Sequence, residues 1–537
     1  MNHDTQAKKR EIVEFFLKNG VLVSSELLVK MDDEDNLEKF KKIIDKINLS
    51  GLMIINEDIA KILAELSESE TINWLEMEQS KALSEKGKAN TYSQFLEYIT
   101  KEKNSNLNAE NEKNAEDKFP VKIVYSYEGE LKKWTTEDFV EHFNARYNAI
   151  EKMLRKRQDM KNLMSINRIK SKREKEDISM IGMTNGKDIT KNGNLIIRLE
   201  DSTGEIKVIV NKNKPDLFQE AKTIVEDEVI AVQGVSSNGV VFVNNIIWPD
   251  IPLNAEMKRC DDDCYALFLS DLHVGSKTFL DEEIMKFIKW INLEIGDEKQ
   301  REIAEKVKYI FITGDLIDGC GIYPGQEEDL SIKDIKLQYE ECARYLSMIP
   351  HHIKIIICSG NHDAMRLSEP QLPLYKDYAE DIYKLPNIIS VSNPALLNIH
   401  AKEGFSGFDV LIYHGYSFDY YIASVDSIRN NGGYDRSDLI MKFLLKRRHL
   451  APTHGSNTYI PDPKSDALVI ENIPDFFCTG HIHRTLIANY RGITMINASC
   501  WQSMTEYQKR RGHLPEPARV SAVNLKTREA RVIKFTK

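Results

Sequence analysis

The chain has 537 residues, 42% of them hydrophobic and 29% charged, with a formal net charge of −10. That length exceeds one ordinary core and predicts several domains. The acidic balance disfavours a chain that coats nucleic acid by charge alone, and leaves local basic patches and bound cations as the way to meet one.

No apolar run approaches the roughly 18 residues that span a bilayer. The opening MNHDTQAKKREIVEFF has no long apolar core behind its basic residues, so the expectation is an intracellular, cytoplasmic protein without a signal peptide. The seven cysteines, at 260, 264, 320, 342, 358, 478 and 500, are scattered and odd in number. Reduced, structural thiols are expected. Only Cys260 and Cys264 are close enough in sequence to begin a zinc site, and a zinc site needs further donors.

In chain order, residues 1–66 read as a small helical module. KKREIVEFFLKNG places Ile12, Val13, Phe16 and Leu17 on one face before Gly20. Residues 67–119 read as a disordered acidic and polar linker. Its stretch KEKNSNLNAENEKNAEDK has only Leu107, Ala109 and Ala115 to bury, too little to offset ordering entropy. Residues 120–175 predict a strand, VKIVYSY, then a helix opened by a Thr-x-x-Asp start, then a basic segment leading into the next domain. That segment, RKRQDMKNLMSINRIKSKREK, reads equally as a nucleic-acid contact or a solvated linker.

Residues 176–250 carry five strand patterns with a helix, PDLFQEAKTIV, between the third and fourth, which is the order of an OB-fold barrel. Such barrels bind single strands through exposed aromatics. Here Phe242 and Trp248 stand out among few, which favours a structural or partner-docking barrel. From 260 to 537 strands alternate with helices in an α/β pattern. TMINAS, RVSAVNLK and EARVIKF are expected to be antiparallel and to close the domain.

Within 260–537, five apolar runs each end in polar residues able to bind a cation. ALFLS precedes Asp271-Leu272-His273, and YIFIT precedes Gly314-Asp315. IKIIICS precedes Gly360-Asn361-His362-Asp363, DVLIY precedes His414-Gly415, and DFFCT precedes Gly480-His481-Ile482-His483. In open α/β sheets the carboxyl ends of strands form sites. Carboxylate, amide and imidazole donors suit Mn²⁺, Mg²⁺, Fe²⁺ or Zn²⁺. Each run alone is weak evidence; five in this order are not a coincidence of turn chemistry.

The pattern D-x-H, G-D, G-N-H-[DE], an isolated His and G-H-x-H resembles that of the calcineurin-like metallophosphoesterases, over residues 271–483. The resemblance implies a two-layered β-sandwich flanked by helices. It implies that Asp271, His273 and His483 hold one metal, that Asn361, His414 and His481 hold a second, and that Asp315 bridges them. His362 would stand beside the scissile phosphate as proton donor or transition-state stabiliser, with Asp363 orienting it. Asp318, in GDLIDG, reads either as a support to these residues or as a structural residue. Two divalent ions, Mn²⁺ foremost, would clamp the phosphate and activate water for in-line attack.

A narrower resemblance covers roughly residues 120–537. The order of module, linker, barrel and phosphoesterase, with the phrases SINRIK, FLSDLHVGSKTF, SGNHDAMR, LLKRRHLAPTHG, TGHIHR and NASCWQSMTEYQK, is similar to the small subunits of archaeal family-D DNA polymerases. These are related to the B-subunits of eukaryotic replicative polymerases. That family implies a 3′–5′ exonuclease acting on single-stranded or mismatched 3′ ends and proofreading for a separate large polymerase subunit, in DNA replication. A sliding clamp is among the partners open to the N-terminal module. The competing readings are a scaffold with a vestigial site and a stand-alone phosphodiesterase of recombination-repair type. Arg447, Arg448, Lys509, Arg510 and Arg511 are candidates for DNA phosphates, against a reading of plain surface charge. Tyr416, Phe418, Tyr420 and Tyr421 are candidates for base stacking, against a reading of core packing.

Overall fold

The computed structural model describes residues 120–129, 132–253 and 256–536, together with Leu22–Val23 and Ile54–Ile55. Those two dipeptides pair in parallel as β1 and β2. Otherwise the helical module read over 1–66 and the linker read over 67–119 lie outside the described residues. The chain divides into two units between Lys118 and Phe119.

Residues after 119 begin with β3 (Val121–Ser126) and α1 (Thr136–Arg155). α1 starts at the expected capping box, in which the Thr135 side chain and Asp138 satisfy each other's backbone N–H. A short helix, α2 (Ile166–Ser171), lies inside the basic segment. Its Ile166 and Ile169 are buried in the barrel core, so this part of the segment is a plug and not a free basic arm.

The barrel is closed. Its strands are β4 (Glu176–Ile189), β5 (Leu195–Asp201), β6 (Gly204–Val210), β7 (Val229–Ser237) and β8 (Val240–Ile247), in the order β4-β5-β6-β8-β7. α3 (Pro215–Lys222), with Pro at its first position, falls between β6 and β7. Alternate residues such as Ile197, Leu199, Val208, Val210, Val232 and Val241 fill the interior. α1 packs Ile150 and Leu154 on Ile181, Met183 and Val229 outside it. On another face α1 sends Arg146, buried, to Asp466 Oδ2 at 2.6 Å and to the Pro452 carbonyl, also at 2.6 Å.

The rest is a sandwich of two six-stranded sheets. The first runs β12-β11-β10-β9-β18-β19. Here β9 (Tyr265–Leu269), β10 (Val307–Thr313), β11 (Lys354–Cys358) and β12 (Ile388–Ser390) are parallel. β18 (Arg519–Asn524) and β19 (Ala530–Lys534) add antiparallel strands. The second runs β16-β17-β15-β14-β13-β3. It contains β13 (Ala395–Ile399), β14 (Phe408–Ile412), β15 (Phe476–Thr479), β16 (Leu486–Tyr490) and β17 (Ile493–Asn497).

Two expectations change here. β17 is antiparallel to β16, as expected, but parallel to β15, both in the second sheet, whereas β18 and β19 form their antiparallel pair in the first. β3 does not lead into the barrel: it pairs antiparallel with β13 at the sandwich edge. Between the sheets lie Phe268, Phe311, Ile356, Val410, Ile412, Phe476 and Ile496. α4 (Asp281–Ile291) and α6 (Ile335–Ser347), either side of α5 (Glu298–Glu305), cover the first sheet through Phe287, Trp290 and Tyr339. α7 (Phe418–Ser424) and α8 (Ser437–Arg447) cover the second through Phe418, Tyr421 and Leu444. A last helix, α9 (Glu506–Arg511), precedes β18.

Candidate metal centre

β9, β10 and β11 are parallel in one sheet, and β14 and β15 are parallel in the other. The residues after their carboxyl ends meet at one edge of the sandwich. The turns there are tight. Asp271, His273, Asp315, His481 and His483 all have positive φ, between 51° and 68°, in a region that side chains other than glycine rarely occupy. Such strain persists where the surroundings over-determine it, and it concentrates at functional sites. Glycine is required beside them: a Cβ on Gly314 would lie 2.6 Å from His414 Nδ1 and 2.8 Å from the Gly360 backbone. Gly360 and Gly480 would likewise drive a Cβ into Asp315 and Asp271.

The donors fall into two groups. Asp271, His273 and His483 are all buried, with His483 Nε2 3.3 Å from Asp271 Oδ1 and 3.0 Å from His273 Nε2. Asn361 Oδ1 lies 2.9 Å from His414 Nε2 and 3.0 Å from His481 Nδ1. Asp315 sits between the groups, its Oδ2 3.3 Å from His414 Nε2 and 3.8 Å from His273 Nε2.

The outward nitrogens of three imidazoles are already committed. His273 Nδ1–H donates to Asp318 Oδ1 at 3.0 Å and His414 Nδ1–H to the Thr313 carbonyl at 2.8 Å. His481 Nε2–H donates to Asp419 Oδ2 at 3.1 Å. Each bond fixes the ring so that the inward nitrogen faces the centre, which is how proteins orient an imidazole for a metal. The fourth, His483, meets the Gln508 amide through Nδ1 at 2.8 Å.

The charges agree. Burial alone would raise the Asp315 carboxyl, but His414, His362 and His273 hold it well below the usual range. Burial would lower His414, but Asp315 raises it to about 10. Burial would likewise lower His483, which Cys500 and Asp271 instead raise well above its ordinary value. The carboxylates draw positive charge inward. Divalent cations bound in place of these imidazole protons would satisfy the same carboxylates, and an oxygen and nitrogen donor set of this kind fits two of them.

His362 stands at the rim, its side chain 19% exposed. Its backbone N–H donates to Asp315 Oδ1 at 2.8 Å, and its Nδ1–H to the Asp318 carbonyl at 2.8 Å. Asp363 does not orient it, contrary to expectation. The Asp363 carboxylate turns inward and accepts from the backbone of Gly360 and Leu316 and from the Tyr339 hydroxyl. Burial and the neighbouring Asp315 raise it to about 7. Asp363 braces two of the ligand-bearing turns against each other.

Asp318 takes the orienting role through two atoms, its carboxylate on His273 and its carbonyl on His362. Gln502 and Gln326 in turn donate to its carboxylate at 3.0 and 3.1 Å. Asp419, Gln326, Gln502 and Gln508 were not anticipated. Asp419 offered only its place five residues beyond His414, and the glutamines no local signal.

The basic candidates divide. Arg447 and Arg448 are buried and unavailable to phosphates. Arg447 pairs with buried Glu228 of the barrel and donates to the Thr223 carbonyl at 2.7 Å. Arg448 donates to the carbonyls of Ile470, at 2.7 Å, and Glu471, at 2.5 Å. Lys509 and Arg510 are exposed on α9, next to Gln508. Arg511 ends that helix, and its side chain lies outside the described residues. Phe418 and Tyr421 are core residues, whereas Tyr416 is half-buried, its ring centroid 5.9 Å from that of His481 in an edge-to-face contact. In the barrel, Phe242 is 48% exposed, but Trp248 is buried under Lys446 and is not open for stacking.

This sandwich and donor set define a calcineurin-like phosphoesterase, a class that works with divalent metals, and the model of that family matches residues 266–485. Among known proteins, the DNA polymerase II small subunit of Methanothermobacter thermautotrophicus is 41% identical over 72% of this chain and 77% of its own. That of Pyrococcus furiosus is 39% identical over 77% of this chain and 65% of its own. A solved archaeal phosphodiesterase aligns with 50% of this chain and 98% of its own, at 14% identity and a TM-score of 0.25. The chain belongs to the small subunits of archaeal DNA polymerase II, the family-D enzyme.

Proposed function

We propose that this subunit is a 3′–5′ exonuclease that removes nucleotides from single-stranded or mismatched DNA ends, using two divalent cations, Mn²⁺ foremost. The observation that carries the reading is the convergence of all seven donors, with three of the four imidazoles anchored through their outward nitrogens. A site kept only as a scaffold has no need of that arrangement. The polarity rests on the family resemblance.

In this reading Asp271, His273 and His483 would hold one cation, Asn361, His414 and His481 the other, and Asp315 would serve both. Bound there, the pair supplies Lewis-acid polarisation of the phosphoryl group and an activated water. The chain's own residues do the rest. His362, with Nδ1–H fixed on the Asp318 carbonyl, acts in its doubly protonated form: Nε2–H gives its proton to the leaving oxygen and the ring is left neutral. Asp318 sets the tilt of His273 and His362 together. Lys509 and Arg510, beside the site-contacting Gln508, meet the DNA backbone. The five-stranded barrel is of OB type and serves, with the sandwich surface, to dock the large catalytic subunit.

Purified protein with Mn²⁺ is expected to release mononucleotides first from the 3′ end of labelled single-stranded DNA. His362→Ala is expected to slow this about 10²–10⁴-fold, and Asp271→Ala or Asn361→Ala to abolish it. DNA left whole with both Mn²⁺ and Mg²⁺ would falsify the nuclease reading. Recovery of no large polymerase chain on native purification would remove the subunit role and leave a stand-alone enzyme.

A further inference from the structure

A second donor cluster lies at the opposite ends of these strands. Cys264 immediately precedes β9 of the first sheet, Cys260 lies on the segment arriving from the barrel, and His400 immediately follows β13 of the second sheet. All three are buried, and their donor atoms lie within 4.8 Å of one another. Cys264 Sγ is 3.9 Å from both ring nitrogens of His400.

The imidazole is held as a metal-binding imidazole is held. Its Nε2–H donates to Asp262 Oδ2 at 2.8 Å, and Lys402 secures the same oxygen at 2.7 Å. That bond leaves Nδ1, 3.9 Å from Cys264 Sγ, as the electron-pair donor, which accepts from the Tyr309 hydroxyl at 3.3 Å until a cation takes its place. Zinc bonds of about 2.3 Å to sulfur and 2.0 Å to nitrogen place tetrahedral S and N ligands roughly 3.6 Å apart, close to the spacing seen.

We propose that Cys260, Cys264 and His400 form a structural zinc site that ties the barrel-to-sandwich segment to both sheets. Thiolate with imidazole selects zinc over the harder cations suited to the oxygen-rich centre at the other edge. Asp262, with its side chain 41% exposed, stands at the rim of the cluster, where a water would complete the four-coordination that zinc takes. Burial pushes both thiols up, Cys264 to about 12, so they stay neutral until a cation displaces their protons. That also makes them poor partners for thiol–disulfide exchange.

Cobalt(II) is the probe, since bonding to thiolate gives a near-ultraviolet charge-transfer absorption that oxygen and imidazole ligands do not. The full-length chain titrated with Co²⁺ is expected to develop this absorption to the intensity of a single thiolate-bound ion and to lose it when Zn²⁺ is added. Cys264→Ser and Cys260→Ser should each abolish it. Cys320→Ser should keep it, as should Cys500→Ser, whose thiol lies beside the His483 carbonyl. The wild-type measurement stands without any variant. Three results would overturn the site: no thiolate band in folded wild-type protein, a band that survives both Cys260→Ser and Cys264→Ser, or one lost only in Cys500→Ser. A Cys260–Cys264 disulfide in protein purified under reducing conditions would do so as well.

Discussion

Asp318 carries more of the site than its sequence position suggested. In GDLIDG it reads as support or as a structural residue, and only the fold shows its carboxylate on His273 and its carbonyl on His362. Asp318→Ala removes the first contact and keeps the second. The expected result is a 10–100-fold loss of metal affinity or activity, with binding of single-stranded DNA unchanged in filter assays. Asp363 teaches the reverse: adjacency to His362 suggested a role its side chain does not play, because it points the other way along the turn.

Glu369 is a second residue-scale case. It is buried, hydrogen-bonded to Tyr413 at 3.0 Å and to Asn457, and burial raises its carboxyl to about 8. Its folded pKa exceeds the unfolded one, so its contribution to stability is full below about pH 4.5 and is lost as pH rises towards 8. Glu369→Gln should therefore flatten the fall of Tm between pH 5 and 9, raising Tm at the alkaline end. Parallel melting curves for the two proteins across that range would refute this.

Among the elements, the strands that end in ligands were legible because each is a short apolar run closed by glycine or a polar turn. The barrel strands were legible by alternation, and α1 by its cap. Arg447 was not, since nothing in LLKRRHL records that the barrel lays Glu228 and Trp248 against α8. Breaking such a buried pair costs about 3–5 kcal/mol. Arg447→Ala is expected to lower stability by that order, read by urea unfolding, without changing the salt dependence of DNA binding. Replacing both Lys509 and Arg510 by Ala should do the opposite. Stability should hold, while the slope of log K against log salt on single strands should fall by about 1.4, at 0.7 per phosphate contact.

For the whole molecule, every donor and His362 lies beyond residue 119, within one unit of the chain. A protein beginning at 119 is expected to keep metal-dependent hydrolysis. One beginning at 129 loses β3 and uncovers β13, and should melt several degrees lower with faster proteolysis. Equal melting of the two would show that β3 adds nothing. A single strand pattern at 121–126 cannot announce a partner so far along the chain, which is why its place in the sandwich was not read.

β3 also sets a timetable. Its neighbour Tyr127 donates to Ser392, 265 residues later, and the barrel must be made in between. At a synthesis rate of about 5–20 residues per second, the strand waits tens of seconds for β13 to emerge. Ile123 and Val124 stay 46% and 42% exposed even in the finished protein. During synthesis the whole strand edge stands open, a natural point for a chaperone to hold the nascent chain and for crowded expression to fail.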